Sequence, residues 1–244
     1  MNWIYLSPHL DDVVLSCGGL ICEQIKAGHQ VQVWTICAGD PPNHEMTPFA
    51  RELHTRWNAE DNPVSIRREE DLLACYRLGT GSIHFNYPDC IYRRFPETLE
   101  PVIMKEIDLF RKFDYREESL VRELHQNLQE SVPESAQLVL PLTIGNHVDH
   151  QLTRLAGERV GSRSCYYAEY PYVINPQFEL DRYIRCDWQE QLFFVDEDSL
   201  LSWQKAVSAY QSQISTFWTD NQAMYAAIYA YWLNGGGKML WYEE

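Results

Sequence analysis

The first 36 residues read as strand, helix, strand, and this alternation restricts the chain to an α/β fold built on a parallel pair. Trp3-Ile4-Tyr5-Leu6 is a short apolar run ended by Ser7-Pro8 and reads as a strand. From Val13 the pattern turns helical, with Leu20, Ile21 and Ile25 on one face and Gly28 closing the end. Val31 to Ile36 is alternating and β-branched, which suits a second strand. A right-handed crossover should join the two strands. No G-x-G-x-x-G follows the first strand, so a dinucleotide site has no support. Gly18-Gly19 is expected instead to let the first helix lie close on the sheet.

The same reading extends along the chain. Residues 48–78 are helical in pattern, interrupted near Asp61-Asn62-Pro63, with Ser65 as the cap of the second half and acidic residues early in it. Ser82 to Asn86 is a third strand, residues 88–98 an irregular surface segment, and 98–112 and 116–131 two helices. Gln137 to Pro141 is a strand and His150 to Val160 a helix. Strands follow at Ser164 to Tyr167 and Arg182 to Cys186, then helices at Ser199 to Gln213 and Met224 to Leu233. Gly235-Gly236-Gly237 marks a frayed tail. No repeat or linker divides the chain, so the expectation is one Rossmann-like domain over residues 1–244, a mostly parallel sheet flanked by helices.

Two His/Asp clusters stand directly behind strands, where open α/β sheets keep their ligands. The first is His9-Leu10-Asp11-Asp12; the second is His147-Val148-Asp149-His150. Hydrolytic zinc sites take three ligands from histidines and carboxylates and leave a position for water, and His9, Asp12 and His150 supply such a set. Zinc lowers the pKa of its water to about 7, and Asp11 is placed to finish the deprotonation as general base. His147, protonated, would stabilise an oxyanion and hand a proton to a leaving amine. Asp149 would orient His147 and raise its pKa, which requires extended backbone at Val148. Taken alone, Asp11-Asp12 could be an ordinary helix cap, as could Asp149 and His150 at their helix; two such clusters in equivalent places favour a shared metal.

Composition narrows the class of partner. A net charge of −15 offers no basic stripe for phosphates, which excludes nucleic acid and disfavours anionic membranes. No apolar run reaches the roughly 20 residues of a membrane helix, and no signal peptide is legible. Seven cysteines without a Cys-x-x-Cys pair suit reduced thiols in a cytoplasmic protein. The tyrosines and tryptophans late in the chain leave a homo-oligomer interface open, although C-terminal helices sealing the core is the simpler reading.

These motifs resemble those of the LmbE-like family of zinc-dependent N-deacetylases, which includes the GlcNAc-PI de-N-acetylases. The family's strand–His-Pro-Asp-Asp corresponds to His9-Leu10-Asp11-Asp12, and its His-Pro-Asp-His to His147-Val148-Asp149-His150. An Arg-x-x-Glu helix ending in Leu-Gly is matched by Arg67, Glu70 and Leu78-Gly79, and a Pro-Asp loop by Pro88-Asp89. Lys205, Tyr210, Ser212 and Gln213 match the family's late motif. The resemblance implies zinc on His9, Asp12 and His150, Asp11 as base and His147 as electrostatic catalyst. It makes Arg67 and Asp89 candidate substrate residues, a surface salt bridge of Arg67 with Glu70 or Asp71 being the alternative. Leu10 and Val148 replace two family prolines, reducing backbone stiffness, and Val13 stands where many members carry glutamate.

The implied reaction is removal of an N-acetyl group from an N-acetylglucosamine-type sugar or conjugate, giving amine and acetate. One alternative is a zinc amidase acting on a non-sugar N-acyl metabolite such as an antibiotic. The other is a non-catalytic binding protein that keeps the fold, which would have no need of Asp11 and His147.

Overall fold

Asn2–Ser7 forms the interior strand β1, and its alternation divides the core: Ile4 and Leu6 face one side of the sheet, Trp3 and Tyr5 the other. In this computed structural model, which describes residues 1–57, 62–161 and 163–243, helix α1 spans Asp12–Lys26 and β2 spans Gln30–Thr35. Helices α2 (Pro48–Arg56) and α3 (Pro63–Leu78) precede β3 (Gly81–His84). After α4 (Glu118–Ser131) come β4 (Ala136–Pro141), α5 (Val148–Gly157) and β5 (Arg163–Tyr167). The chain ends with β6 (Gln189–Leu192), α6 (Glu197–Val207), α7 (Gln211–Phe217), α8 (Asn221–Leu233) and β7 (Met239–Tyr242).

The strands form one sheet in the order β3-β2-β1-β4-β5-β7-β6. The first five are parallel, and β7 and β6 add an antiparallel edge. The chain runs outward from β1 through β2 to β3, then restarts on the other side at β4. The carboxyl ends of β1 and β4 therefore flank the switch point at which such sheets bind ligands. Helices α4 and α5 cover one face; α1, α3, α6 and α8 cover the other. A third apolar cluster, containing Leu10, Phe49, Leu53, Trp57, Ile91, Tyr92 and Val148, lies over the carboxyl ends. No described helix is long and apolar enough to cross a membrane.

Several expectations are corrected. The Gly18-Gly19 pair brings α1 against α6 rather than the sheet: a Cβ on Gly18 would stand 2.2 Å from Cδ1 of the wholly buried Trp203. That indole donates to the Val14 carbonyl at 2.6 Å, so the close approach is fixed by a hydrogen bond. Helix α3 begins at Pro63 rather than at a Ser65 cap, follows Asn62 in left-handed backbone, and has no acidic residue in its first turn. The neighbouring Asp61 lies outside the described residues. Residues 98–112 make only a 3-10 turn at Glu106–Phe110, whose start is capped by the Asp108 carboxylate accepting the N–H groups of Met104 and Lys105.

The segment 88–98 is irregular, as its prolines suggest, but it is largely buried from Asp89 to Arg93. Arg182 to Cys186 is not a strand; a 3-10 turn at Leu180–Arg182 occupies that region and β6 lies beyond it. The Ser199 to Gln213 helix is broken at Ser208–Tyr210 into α6 and α7. The glycine triplet is a turn that sends β7 back between β5 and β6. Gly237 has a φ of +68° and sits where a Cβ would meet Trp203 at 2.5 Å, so the tail is tightly placed rather than frayed.

Candidate active site

The site is built by two strand-to-helix turns meeting side by side. At the end of β1, Ser7 Oγ donates to the His9 carbonyl at 2.6 Å and accepts the Val13 N–H at 3.2 Å, closing the turn that leads into α1. Asp11 occupies the position before the helix without capping it, which leaves its carboxylate for the cavity. Asp12 Oδ2 accepts the His9 N–H at 2.8 Å and lies 3.0 Å from His9 Nδ1. The same oxygen is 3.4 Å from His150 Nε2, an atom that is buried and has no hydrogen-bond partner among the described residues. An imidazole nitrogen of His9 and one of His150 thus converge on one carboxylate oxygen, with the rings 5.5 Å apart between centroids.

The far side of each imidazole is held by a carboxylate. His150 Nδ1 meets Glu169 Oε1 at 3.1 Å, and His9 Nε2 meets Asp149 Oδ2 at 3.1 Å. This leaves His9 Nδ1 and His150 Nε2 facing Asp12, where each could give a lone pair to a metal, and carboxylates behind the far nitrogens are the arrangement that orients metal-binding histidines. Two imidazoles and a carboxylate suit zinc by ligand chemistry. Nitrogens of His9, His147 and His150 also lie within 4.8 Å of one another, so His147 stands at the edge of the same cluster.

Electrostatics separate the acids. Burial drives the Asp11 pKa up to about 6, the Arg67 guanidinium pulling it the other way. Burial opposes ionisation of Asp12 as well, but His150 and His9 outweigh it and hold that carboxyl well below its usual range. Burial likewise opposes protonation of His150, yet Asp12 and Glu169 push its pKa up to about 9. His147 goes down: burial and the neighbouring His9 and His150 keep it neutral near pH 7.

Asp149 does not orient His147 through its carboxylate, contrary to the expectation from spacing. Its carboxylate turns away to Arg93, Cys90 and His9, while its backbone N–H donates to His147 Nδ1 at 3.3 Å. With Nδ1 accepting, the proton of the neutral ring sits on Nε2. The required extended backbone falls on His147 itself, which precedes α5 with ψ 132°.

Arg67 is not part of a surface salt bridge. It is buried, stacks 4.7 Å over the Trp57 ring and places Nη2 3.5 Å from Asp11 Oδ2. Glu70 instead accepts from the N–H and hydroxyl of Ser212 at 2.8 and 2.6 Å, and Asp71 accepts from Tyr210 at 2.7 Å. The Arg-x-x-Glu and late motifs therefore fasten α7 to α3 and bring Gln213 to the cavity wall. Asp89 stands close to the cluster, with Oδ2 3.7 Å from His9 Nε2 and Oδ1 accepting the Ile91 N–H. Leu10 and Val148 are buried in the apolar cluster above the site, so packing fixes both turns where prolines would stiffen them.

These groups open into a cavity of ≈ 310 Å³. Phe49, Trp57, Phe110, Tyr172 and Phe217 line it along with Arg56, Arg67, Asp89, Glu106 and Gln213. Two polar anchors escaped the sequence reading. Arg93 looked like a surface charge beside Arg94. Glu169 had a usable signal: it is a lone carboxylate among Tyr166, Tyr167, Ala168 and Tyr170, just past a strand end, where nothing but a buried partner would retain it.

Comparison with known proteins agrees with this architecture. The GlcNAc-PI de-N-acetylase (PIG-L) family profile matches residues 4–160, from β1 to just past α5. The chain belongs to this family. A 2'-N-acetylparomamine deacetylase of Niallia circulans is 30% identical over 187 residues, covering 70% of this chain and 67% of that protein. A zinc-inhibited form of teicoplanin deacetylase has a TM-score of 0.81 at 23% identity, with 99% of this chain and 97% of that one covered. A pseudoaglycone deacetylase is 27% identical with a TM-score of 0.71, covering 98% and 95%. The PIG-L fold thus extends through the C-terminal helices.

Proposed function

We propose that this PIG-L member is a zinc-dependent N-deacetylase acting on an N-acetylated amino sugar or its conjugate, giving the free amine and acetate. The observation that carries the reading is the convergence of His9, Asp12 and His150 beside the Asp11 carboxylate at the floor of one cavity. The likeness to an N-acetylparomamine deacetylase supports an amino-sugar substrate.

His9, Asp12 and His150 would hold the metal through Nδ1, a carboxylate oxygen and Nε2. Bound there, zinc supplies an acidified water and polarises the acyl carbonyl. Asp11, with its pKa raised to about 6, takes the proton of the attacking water. His147, neutral with its proton on Nε2, donates a hydrogen bond to the acyl oxygen as charge develops there. Because His147 is neutral, the proton for the leaving nitrogen comes from Asp11, which has just received one. The C–N bond breaks, the amine departs and acetate remains.

The aromatic walls offer flat apolar surface for the C–H faces of a sugar ring, and Arg67, Asp89 and Gln213 offer hydrogen bonds to its hydroxyls. Arg67 Nε is buried with no hydrogen-bond partner among the described residues, which suits a substrate oxygen. A non-sugar or large antibiotic-type scaffold is the second reading, favoured by exposed Met104 and Ile107 beside the Leu109-Phe110 wall. Acetate release from N-acetylated aminoglycoside fragments, N-acetylglucosamine glycosides and non-sugar acetamides separates the two. Turnover confined to non-sugar amides overturns the sugar assignment.

We also read residues 1–244 as one domain, since β7 returns from the C-terminal helices into the sheet. A cytoplasmic location is supported by seven unpaired cysteines, six of them buried.

A further inference from the structure

Arg93 sits behind the metal cluster with only 6% of its surface exposed. A guanidinium keeps its charge in any protein environment, so burying it requires counter-charges in place. Two are present. Nε donates to Glu117 Oε1 at 2.7 Å, and Nη1 donates to Asp149 Oδ1 at 2.5 Å and to the Pro88 carbonyl at 3.2 Å.

Asp149 is wholly buried and is gripped from both ends. Arg93 takes Oδ1; the Cys90 N–H takes Oδ2 at 2.9 Å, and that same Oδ2 is the atom 3.1 Å from His9 Nε2. A neutral imidazole has one N–H and one lone pair, and its partners decide which nitrogen carries which. An ionised carboxylate only accepts, so Asp149 holds a His9 proton on Nε2, and Nδ1, which faces Asp12 Oδ2 at 3.0 Å, would be the nitrogen left to give a lone pair to a metal.

We propose that Arg93 is a positioning residue for the metal centre: by locking the rotation of Asp149 it fixes the tautomer and ring plane in which His9 presents Nδ1 to zinc. The proposal rests on the zinc reading above. It adds a positioning role to the 88–98 segment, which also supplies Asp89 to the cavity. Glu117 holds the opposite edge of the same guanidinium, just before α4, but does not touch Asp149's oxygens.

The test is zinc affinity by chelator competition on the full chain, with circular dichroism and Tm recorded for every variant. Arg93→Met should bind zinc about 10–100-fold more weakly, the range found when the outer partner of a metal-bound histidine is removed. Arg93→Lys keeps a charge but not the fork, and should recover part of that loss. Glu117→Gln removes one of the two counter-charges of the same arginine while leaving the Arg93–Asp149 contact, so it should lower Tm with little change in zinc affinity. Folded Arg93→Met with wild-type affinity overturns the proposal. So does Glu117→Gln losing as much affinity as Arg93→Met. Should Arg93→Met not fold, Arg93→Lys decides: unchanged affinity overturns the proposal and weakened affinity supports it. A wild-type protein that binds no zinc overturns both this proposal and the functional reading, whereas tight wild-type binding with unaffected variants overturns this one alone.

Discussion

Arg67 Nη2 stands 3.5 Å from Asp11 Oδ2, the closest cation to the carboxylate assigned as base. Burial raises the Asp11 pKa to about 6, and Arg67 is the largest influence pulling it down. The base works only when ionised, so kcat/KM should fall as pH drops through that pKa. Removing the positive charge in Arg67→Gln raises the pKa further, and the acid limb should move up by about 1–3 pH units, the usual effect of an adjacent opposite charge. A bound cation shifts both profiles downward together, so the difference between the two proteins is what matters. Superimposable limbs with a raised KM would place Arg67 on the substrate instead of on Asp11.

Asp11→Asn changes charge with almost no change in shape and touches none of the three ligand atoms. Zinc content should stay at the wild-type level while kcat falls about 10²–10⁴-fold, the usual contribution of general acid–base catalysis. Metal analysis and single-turnover acetate release on the same preparation check both halves. Near-normal turnover would remove Asp11 from the mechanism.

His150 is fully buried, and its Nε2, 3.4 Å from Asp12 Oδ2, has no hydrogen-bond partner among the described residues. His150→Ala should lose zinc on dialysis, whereas Glu169→Gln should retain the metal with affinity weakened about 10–100-fold. Glu169 also accepts the N–H groups of Thr143 and Ile144, so its variant should loosen the turn before His147 as well. Elemental analysis across a chelator series distinguishes the two, and full zinc retention by His150→Ala would rule out the ligand set.

Much of the parallel half was legible because each strand is an apolar run and each motif follows one directly. The antiparallel edge was not. Gln189-Glu190-Gln191-Leu192 is exposed at every position, so it carries no alternation, and β7 is four residues behind a glycine triplet. At the site, residue types at short spacing revealed His9, Asp11, Asp12, His147 and His150, since a turn brings such neighbours together whatever the rest does. Which carboxylate orients which imidazole was hidden, because it depends on partners brought from 140 residues away in the case of His9 and Asp149. Arg93 looked like solvent-facing charge for the same reason: its two counter-charges lie on other elements.

The α1–α6 contact gives a stability prediction independent of the chemistry. Replacing glycine by alanine inside a helix normally gains about 1 kcal/mol of propensity. At Gly18 the added methyl would stand 2.2 Å from Cδ1 of Trp203, an indole that is fully buried and tied to the Val14 carbonyl. Overpacking a core costs about 1–3 kcal/mol, sometimes more, and a ring fixed on both sides cannot step aside. The clash should win, so Gly18→Ala is destabilised on balance. At Gly19 the nearest atoms are Val195 Cγ1 at 2.8 Å and Trp203 Cε3 at 3.0 Å, contacts longer than the one at Gly18, so the propensity gain should offset more of the cost. Thermal unfolding should therefore rank wild type, Gly19→Ala and Gly18→Ala in falling order of Tm, with about 2–4 °C for each kcal/mol in a chain of this size. A Gly18→Ala protein at least as stable as wild type would mean that α1 and α6 are not packed as closely as this contact requires.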